Sequence, residues 1–185
     1  FVPAVEVIDG RFDVARFQAA VRLFIVAQEI LVDRASYPTR AIAENSHTFR
    51  TLGLGYANLG ALIMSRGLGY DSDEGRTYAG AITSLMTGQA YAVSSELAAA
   101  RGAFDGYHDA AYGEVTDPPE ASNEASMLEV IARHREAAES LEGNGDCAPI
   151  IEAACETWDT ALENGRQHGY RNAQVSVLAP TGTIG

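Results

Sequence analysis

Cysteine is scarce in this chain. Cys147 and Cys155 are the only two among 185 residues. Set eight apart, they can share one helix face, but they form neither a metal-ligand motif nor a Cys-x-x-Cys pair. They read most simply as small core residues. Positive charge is scarce too. Lys and Arg number 13 against 25 Asp and Glu, a net charge of −12. Such a surface repels phosphate backbones, which excludes non-specific nucleic-acid binding. No apolar run reaches the ~18 residues of a membrane span. The longest apolar region, Ala19 to Val32, is interrupted by Arg22, Gln28 and Glu29. The amino terminus has no basic stretch followed by an apolar run and a cleavage site, so no secretory signal is visible and a cytoplasmic location is the expectation. What remains is ordinary for one globular domain with a sizeable core: 46% apolar residues in a chain long enough to bury them.

Helical periodicity dominates the chain. Phe1 to Ile8 reads as a strand end or an extended entry, and Asp9-Gly10 as a turn. Asp13 is the expected N-cap of a long buried helix to about Ala35, with Val14, Phe17, Val21, Phe24, Ile25 and Leu31 at mostly helical spacing. Pro38 breaks it, and Ala41 to about His47 is a short helical or irregular piece. In Arg50 to Tyr56, Gly53 and Gly55 alternate with Leu52 and Leu54, which fits a short strand with close backbone neighbours. The third glycine of a dinucleotide fingerprint is missing. Asn58 to Arg66 is helical and stops at Gly67 and Gly69.

Tyr70-Asp-Ser-Asp-Glu-Gly-Arg76 has the composition of a cation loop but not the spacing. It reads as a helix start capped by Asp71 or Ser72, with acids in the first turn, and no metal site is expected. Asp73 to Arg101 is helical throughout. Gly88 interrupts it at modest cost, and the many Ala and Gly residues imply close helix packing. Gly102 to Asn123 is loop-rich, and Asp117-Pro-Pro-Glu120 cannot be helix interior. Glu124 to about Leu141 is helical again, with His134 on a solvated face. After a turn at Glu142 to Asp146, Pro149 opens a last helix to about His168. Ile150, Ile151, Ala154, Trp158 and Leu162 form its apolar face. His168 suits the negative end of that helix and reads as structural rather than as a base. The result is mainly α within an α/β class, with about five substantial helices and two or three short strands.

The richest chemistry lies between His168 and Gly185. Gly169 can supply the left-handed residue that ends a helix. Asn172 to Leu178, apolar and β-branched, reads as a strand. Pro180-Thr-Gly-Thr183 follows. Pro180 brings no backbone donor, Gly182 lets the backbone approach a ligand, and Thr181 and Thr183 offer hydroxyls beside N–H groups. A helix starting here would aim its free N–H groups and positive dipole end at an anion. The turn lies at the carboxyl end of a strand, where α/β folds place ligands. Local chemistry alone leaves an ordinary Gly/Thr turn as the alternative, since such turns are common.

Four blocks together resemble the adenosylcobalamin-dependent (class II) ribonucleotide reductases. They are Arg50-Thr-Leu-Gly-Leu-Gly-Tyr-Ala-Asn-Leu-Gly60, Tyr70 to Arg76, His134-Arg135, and His168 to Gln174 with Leu178 to Gly185. Their order and approximate spacing agree from about Asp9 to Gly185. The resemblance implies a partial ten-stranded α/β barrel, with residues 1–185 a single partial domain from its centre. It implies a parent that reduces ribonucleotides to 2′-deoxyribonucleotides, using adenosylcobalamin to generate a cysteine thiyl radical and a thioredoxin-type reductant to restore further cysteines. In that family the Pro-Thr-Gly-Thr turn holds substrate phosphate. The role carries over to Pro180, Thr181, Gly182 and Thr183, with Ile184 and Gly185 as possible further backbone donors.

The Asn-x-Cys-x-Glu finger loop would lie just before Phe1. No catalytic role carries over to Cys147 or Cys155, and no cofactor is expected to bind this segment alone. The resemblance therefore implies a segment inactive by itself that assembles with the rest of the reductase or with itself. Two other readings stand beside it: a non-catalytic helical interaction module or split subunit, and an unrelated acidic helical bundle.

Overall fold

The structure, a computed structural model, describes residues 11–109 and 122–180. Phe1 to Gly10, Asp117-Pro-Pro-Glu120 and the turn residues Thr181 to Thr183 lie outside them.

Helix α1, Val14–Arg34, starts where Asp13 accepts a hydrogen bond from the Arg16 N–H at 3.0 Å. A side-chain acceptor here satisfies one of the helix's free N–H groups. Its buried face is Phe17, Val21, Ile25, Glu29 and Val32, so a carboxylate sits in an otherwise apolar stripe. Helix α2, Arg40–Phe49, is longer than the short piece expected. Thr39 caps it, and it ends at Arg50 in the left-handed region, φ 49° and ψ 46°. Helix α3 is Leu59–Ser65.

Helix α4, Asp73–Arg101, is capped by Ser72, whose hydroxyl accepts from the Gly75 N–H at 3.0 Å. Of the two residues expected as cap, the serine is the one used. Helix α5, Asn123–Glu139, is capped by Ser122 and stops two residues short of the expected Leu141. A single 3-10 turn, Gly145–Cys147, leads into α6, Ala148–His168, with Pro149 in its first turn. Gly169 ends α6 at φ 72°, where its N–H donates to the Gly165 carbonyl at 2.9 Å. A residue with a Cβ resists that backbone, which is why glycine stands there.

Helices α4 and α6 form the central pair, with α1 and α5 packed on opposite members of it. Trp158 is the largest fully buried side chain, and its indole N–H donates to Ser84 Oγ at 2.9 Å. Its ring lies 6.1 Å from that of Tyr91, which meets Tyr170 edge-on at 5.6 Å. Burying an aromatic of this size removes roughly 200 Å² from water, on the order of 5 kcal/mol before entropy is subtracted. His134 is exposed, as expected of a solvated face, and one side of its ring stacks on Trp158, with ring centroids 5.1 Å apart and planes 11° from parallel.

The strand expectation is met in part. Phe1 to Ile8 lies outside the described residues, and the other two expected strands meet as an isolated parallel bridge, Leu54 to Ser176. Around it the Leu52 N–H donates to Gln174 O at 2.8 Å, Leu54 N–H to Val175 O at 3.0 Å, and Val177 N–H to Leu54 O at 2.9 Å. The segments sit so close that a Cβ on Gly55 would lie 2.6 Å from the Val177 carbonyl oxygen. Two such segments cannot make a stable sheet by themselves; here Leu52, Leu54 and Val175 are buried in the core, while Gly53, Gln174 and Val177 are exposed.

Candidate anion site at the carboxyl ends of the paired segments

The parallel bridge sends both segments the same way, so Gly55-Tyr56 and Val177 to Pro180 emerge on one side of the molecule. Tyr56 is fixed there by a 2.6 Å hydrogen bond between its hydroxyl and Thr83 Oγ1 of α4. Ser176 is held by a 3.2 Å hydrogen bond from Thr87 Oγ1, one turn further along the same helix. Beyond it the segment leaves cover. Val177 and Leu178 are 44% and 59% exposed, and Ala179 and Pro180 are exposed as well. Of the four residues assigned to the phosphate turn, Pro180 is placed in the open at the carboxyl end of this segment. Thr181, Gly182 and Thr183 fall outside the described residues.

The base of the segment is anchored by a buried polar cluster that sequence reasoning missed. Glu29 Oε1 accepts from Arg50 Nε at 2.7 Å and from Arg171 Nε at 2.8 Å, and its Oε2 accepts from Asn172 Nδ2 at 2.7 Å. Arg50 also donates to Asp33 Oδ1 at 2.8 Å. Asn172 Nδ2 donates to the Arg50 carbonyl at 2.9 Å, while Asn172 Oδ1 accepts from Ser94 Oγ at 2.9 Å. Two carboxylates and two guanidinium groups make the cluster neutral, the condition under which charge is tolerated in a core. Burial works against the Arg50 charge, but its hydrogen bonds to Asp33 and Glu29 outweigh it and raise its pKa. The same bond from Arg50 holds the Asp33 carboxyl below its ordinary value of 3.8. Arg50 occupies a left-handed backbone that costs a residue with a Cβ about 1–2 kcal/mol, and its ion pairs offset that. One signal was available in the sequence: Glu29 lies four residues after Ile25 and three before Val32, on the buried stripe.

The cysteines stand elsewhere. Cys147 lines a cleft of about 490 Å³ with Arg66, Asp73, Tyr78 and Asp146, and no residue of either paired segment lines it. Burial pushes the Cys147 thiol up, and Cys155 is pushed up by burial, then by Glu139 and Asp159. Neither is the stabilised thiolate that nucleophilic or redox chemistry needs. Among the described residues no group of three or more His, Cys, Asp or Glu could hold a metal ion, and no helix is long and apolar enough to cross a membrane.

A family model described as "Ribonucleotide reductase, barrel domain" matches residues 1–185, and the chain belongs to that family. Among its curated relatives, the vitamin B12-dependent ribonucleotide reductase of Rhodopirellula baltica is 53% identical over 176 residues, covering 95% of this chain and 16% of that protein. The enzyme of the same name from Streptomyces clavuligerus is 49% identical, covering 94% of this chain and 17% of that protein. A ribonucleoside-diphosphate reductase subunit alpha from Chlamydia muridarum is more distant, at 22% identity over 97% of this chain. The chain thus spans about one-sixth of the length of the curated relatives it matches. Family membership removes the reading as an unrelated acidic bundle, and the Leu54–Ser176 pairing agrees with that.

Proposed function

We propose that this chain is a single partial domain from the catalytic barrel of a cytoplasmic, adenosylcobalamin-dependent ribonucleotide reductase. It contributes the turn Pro180-Thr-Gly-Thr183 that receives the substrate's phosphates. The observation that carries the reading is the parallel pairing of Leu54 with Ser176, which supports a turn at the carboxyl end of a buried-face segment in a family of barrel enzymes. In this reading the outer helices hold two strands of a ten-stranded barrel, and the backbone N–H groups of residues 181–183 with the Thr hydroxyls neutralise phosphate charge. The parent reaction is reduction of ribonucleotides to 2′-deoxyribonucleotides by thiyl-radical chemistry, with a thioredoxin-type reductant as partner.

The described residues do not form a seat for adenosylcobalamin. The Cys147 cleft is lined by the carboxylates of Asp73, Glu74, Glu142 and Asp146, and its thiol is buried. No step through that cofactor is assigned to this chain, which alone does not reduce nucleotides. The test is a titration of the isotopically labelled chain with inorganic pyrophosphate and with a ribonucleoside diphosphate. Saturable amide shifts at Thr181, Gly182 and Thr183 are expected, and their absence at millimolar ligand would refute the turn's role.

A helical interaction module or split subunit is the second reading. Leu23, Ile30 and Leu31 on α1 are 67%, 57% and 60% exposed, an apolar face that favours assembly with a partner chain or a second copy. Sedimentation as a monomer at all concentrations would count against self-association.

A further inference from the structure

The cleft beside Cys147 has no part in the phosphate reading. Its volume, about 490 Å³, is that of a small-molecule site. Three elements wall it. Arg66 and Leu68 stand at the end of α3, Asp73, Glu74 and Tyr78 in the first turns of α4, and Glu142 to Cys147 in the connection from α5 to α6.

Two features of this wall ask for opposite charges. The first is an excess of carboxylates. Asp146 is paired with Arg66 at 3.1 Å and Asp73 with Arg76 at 2.5 Å. Glu74 and Glu142, from different elements, meet no cation among the described residues. Among those residues no group of three acids, His or Cys could hold a metal ion, so an organic cation suits this rim better than a bare ion. The second feature is Tyr78. It is 2% exposed, and its hydroxyl has no hydrogen-bond partner. A buried polar group left unpaired is costly and calls for an explanation. The hydroxyl belongs to this cleft: burial raises its pKa, and the charges acting on it are those of Arg66, Asp146 and Cys147, all in the lining. Arg66 cannot take its proton, because a guanidinium only donates. What fits there is an oxygen acceptor carrying negative charge, with the Arg66 cation beside it.

We propose that this cleft binds a small basic zwitterion of the arginine or lysine class, its cation facing Glu74 and Glu142 and its carboxylate accepting from the Tyr78 hydroxyl. Asp146 is 46% exposed, so it has room to swing out and cede its place on Arg66 to that carboxylate. The site is independent of the phosphate turn, since no residue of the paired segments lines it.

The test uses the whole chain, isotopically labelled, with L-arginine and agmatine as probes. Agmatine keeps the guanidinium and lacks the carboxylate. L-arginine is expected to give saturable amide shifts at Thr77, Gly143 and Asn144. Tyr78→Phe weakens L-arginine about tenfold, the worth of one hydrogen bond to a charged group, and leaves agmatine within about twofold. Its Tm does not fall, because the hydroxyl has no partner to lose. Glu142→Gln, at an exposed position, weakens both probes. Should Tyr78→Phe fail to fold, Glu142→Gln decides: weaker L-arginine binding supports the proposal and unchanged binding overturns it. Three other results overturn it: no saturable shift with millimolar L-arginine, a folded Tyr78→Phe that weakens neither probe or both alike, or the same shifts produced by magnesium chloride at lower concentration than L-arginine.

Discussion

Replacing Gly165 by alanine sets two opposing effects against each other at one place in the core. In an exposed helix interior alanine is better than glycine by about 1 kcal/mol. Here the new Cβ would stand 2.0 Å from the Tyr170 hydroxyl oxygen and 2.3 Å from its Cζ. Tyr170 cannot step aside freely. It is fully buried, its hydroxyl donates to the Ala161 carbonyl at 2.9 Å, and its ring lies 5.6 Å from Tyr91 and 6.3 Å from Tyr107. Overpacking of this kind costs about 1–3 kcal/mol, and loss of a buried hydrogen bond adds about 1 kcal/mol. The clash wins by about 2 kcal/mol, which for a chain of this size lowers Tm by roughly 4–8 °C. Gly80→Ala is the matched control. Its Cβ would meet only Leu141 Cδ2 at 3.6 Å, an ordinary contact, so the propensity gain stands unopposed and Tm should rise by roughly 2–4 °C. Thermal unfolding followed by circular dichroism measures both. If Gly165→Ala proves as stable as wild type, Tyr170 is not packed as described and the close approach of α6 to its own following segment is wrong.

Thiol chemistry and acid titration give two further checks. Cys147 and Cys155, both with thiols raised by burial, should react slowly with an aromatic disulfide at about pH 8 and at the ordinary rate once urea unfolds the chain. Fast modification of either in the native state would contradict their placement. Asp33 has a folded pKa below its ordinary 3.8, so its pair with Arg50 contributes stability above that value and loses it as pH falls through the lowered one. Asp33→Asn should therefore be less stable than wild type at about pH 6, with the gap closing by about pH 2. The side chain is 48% exposed, so the gap should stay under about 1 kcal/mol. A gap that persists at low pH would mean the loss is not electrostatic.

The parts of the fold written in neighbouring residues were legible in the sequence. Asp13 and Ser72 cap the helices they were expected to start, Pro149 sits in the first turn of α6, and Gly169 ends that helix. The caps and the glycine stop depend on hydrogen bonds spanning three or four residues, and Pro149 on a first-turn position that needs no donor, all of which a local pattern can encode. What escaped was everything built from distant partners. Glu29 meets Asn172 across 143 positions, and Asn172 meets the Arg50 carbonyl across 122. No periodicity marks such a pairing, so Glu29 looked like a flaw in an apolar run. His134 stands on an exposed face as expected, but its stacking on Trp158 of another helix was not legible, for the same reason. The runs around Leu52–Leu54 and Gln174–Val177 were expected as strands and do pair, but only as an isolated bridge, because among the described residues no further segment lies beside them. Of the phosphate turn, only Pro180 falls within the described residues.

Arg50 bears on how this chain should be engineered. A search guided by backbone angles alone would single it out for glycine, the usual remedy at a positive φ, and forecast a gain. That exchange would strip buried Glu29 of one of its two guanidinium partners, leaving it only Arg171, and would free half-exposed Asp33 to solvent; the loss at Glu29 outweighs the torsional relief. Consensus-style or angle-based redesign of the chain should therefore freeze this position before any other.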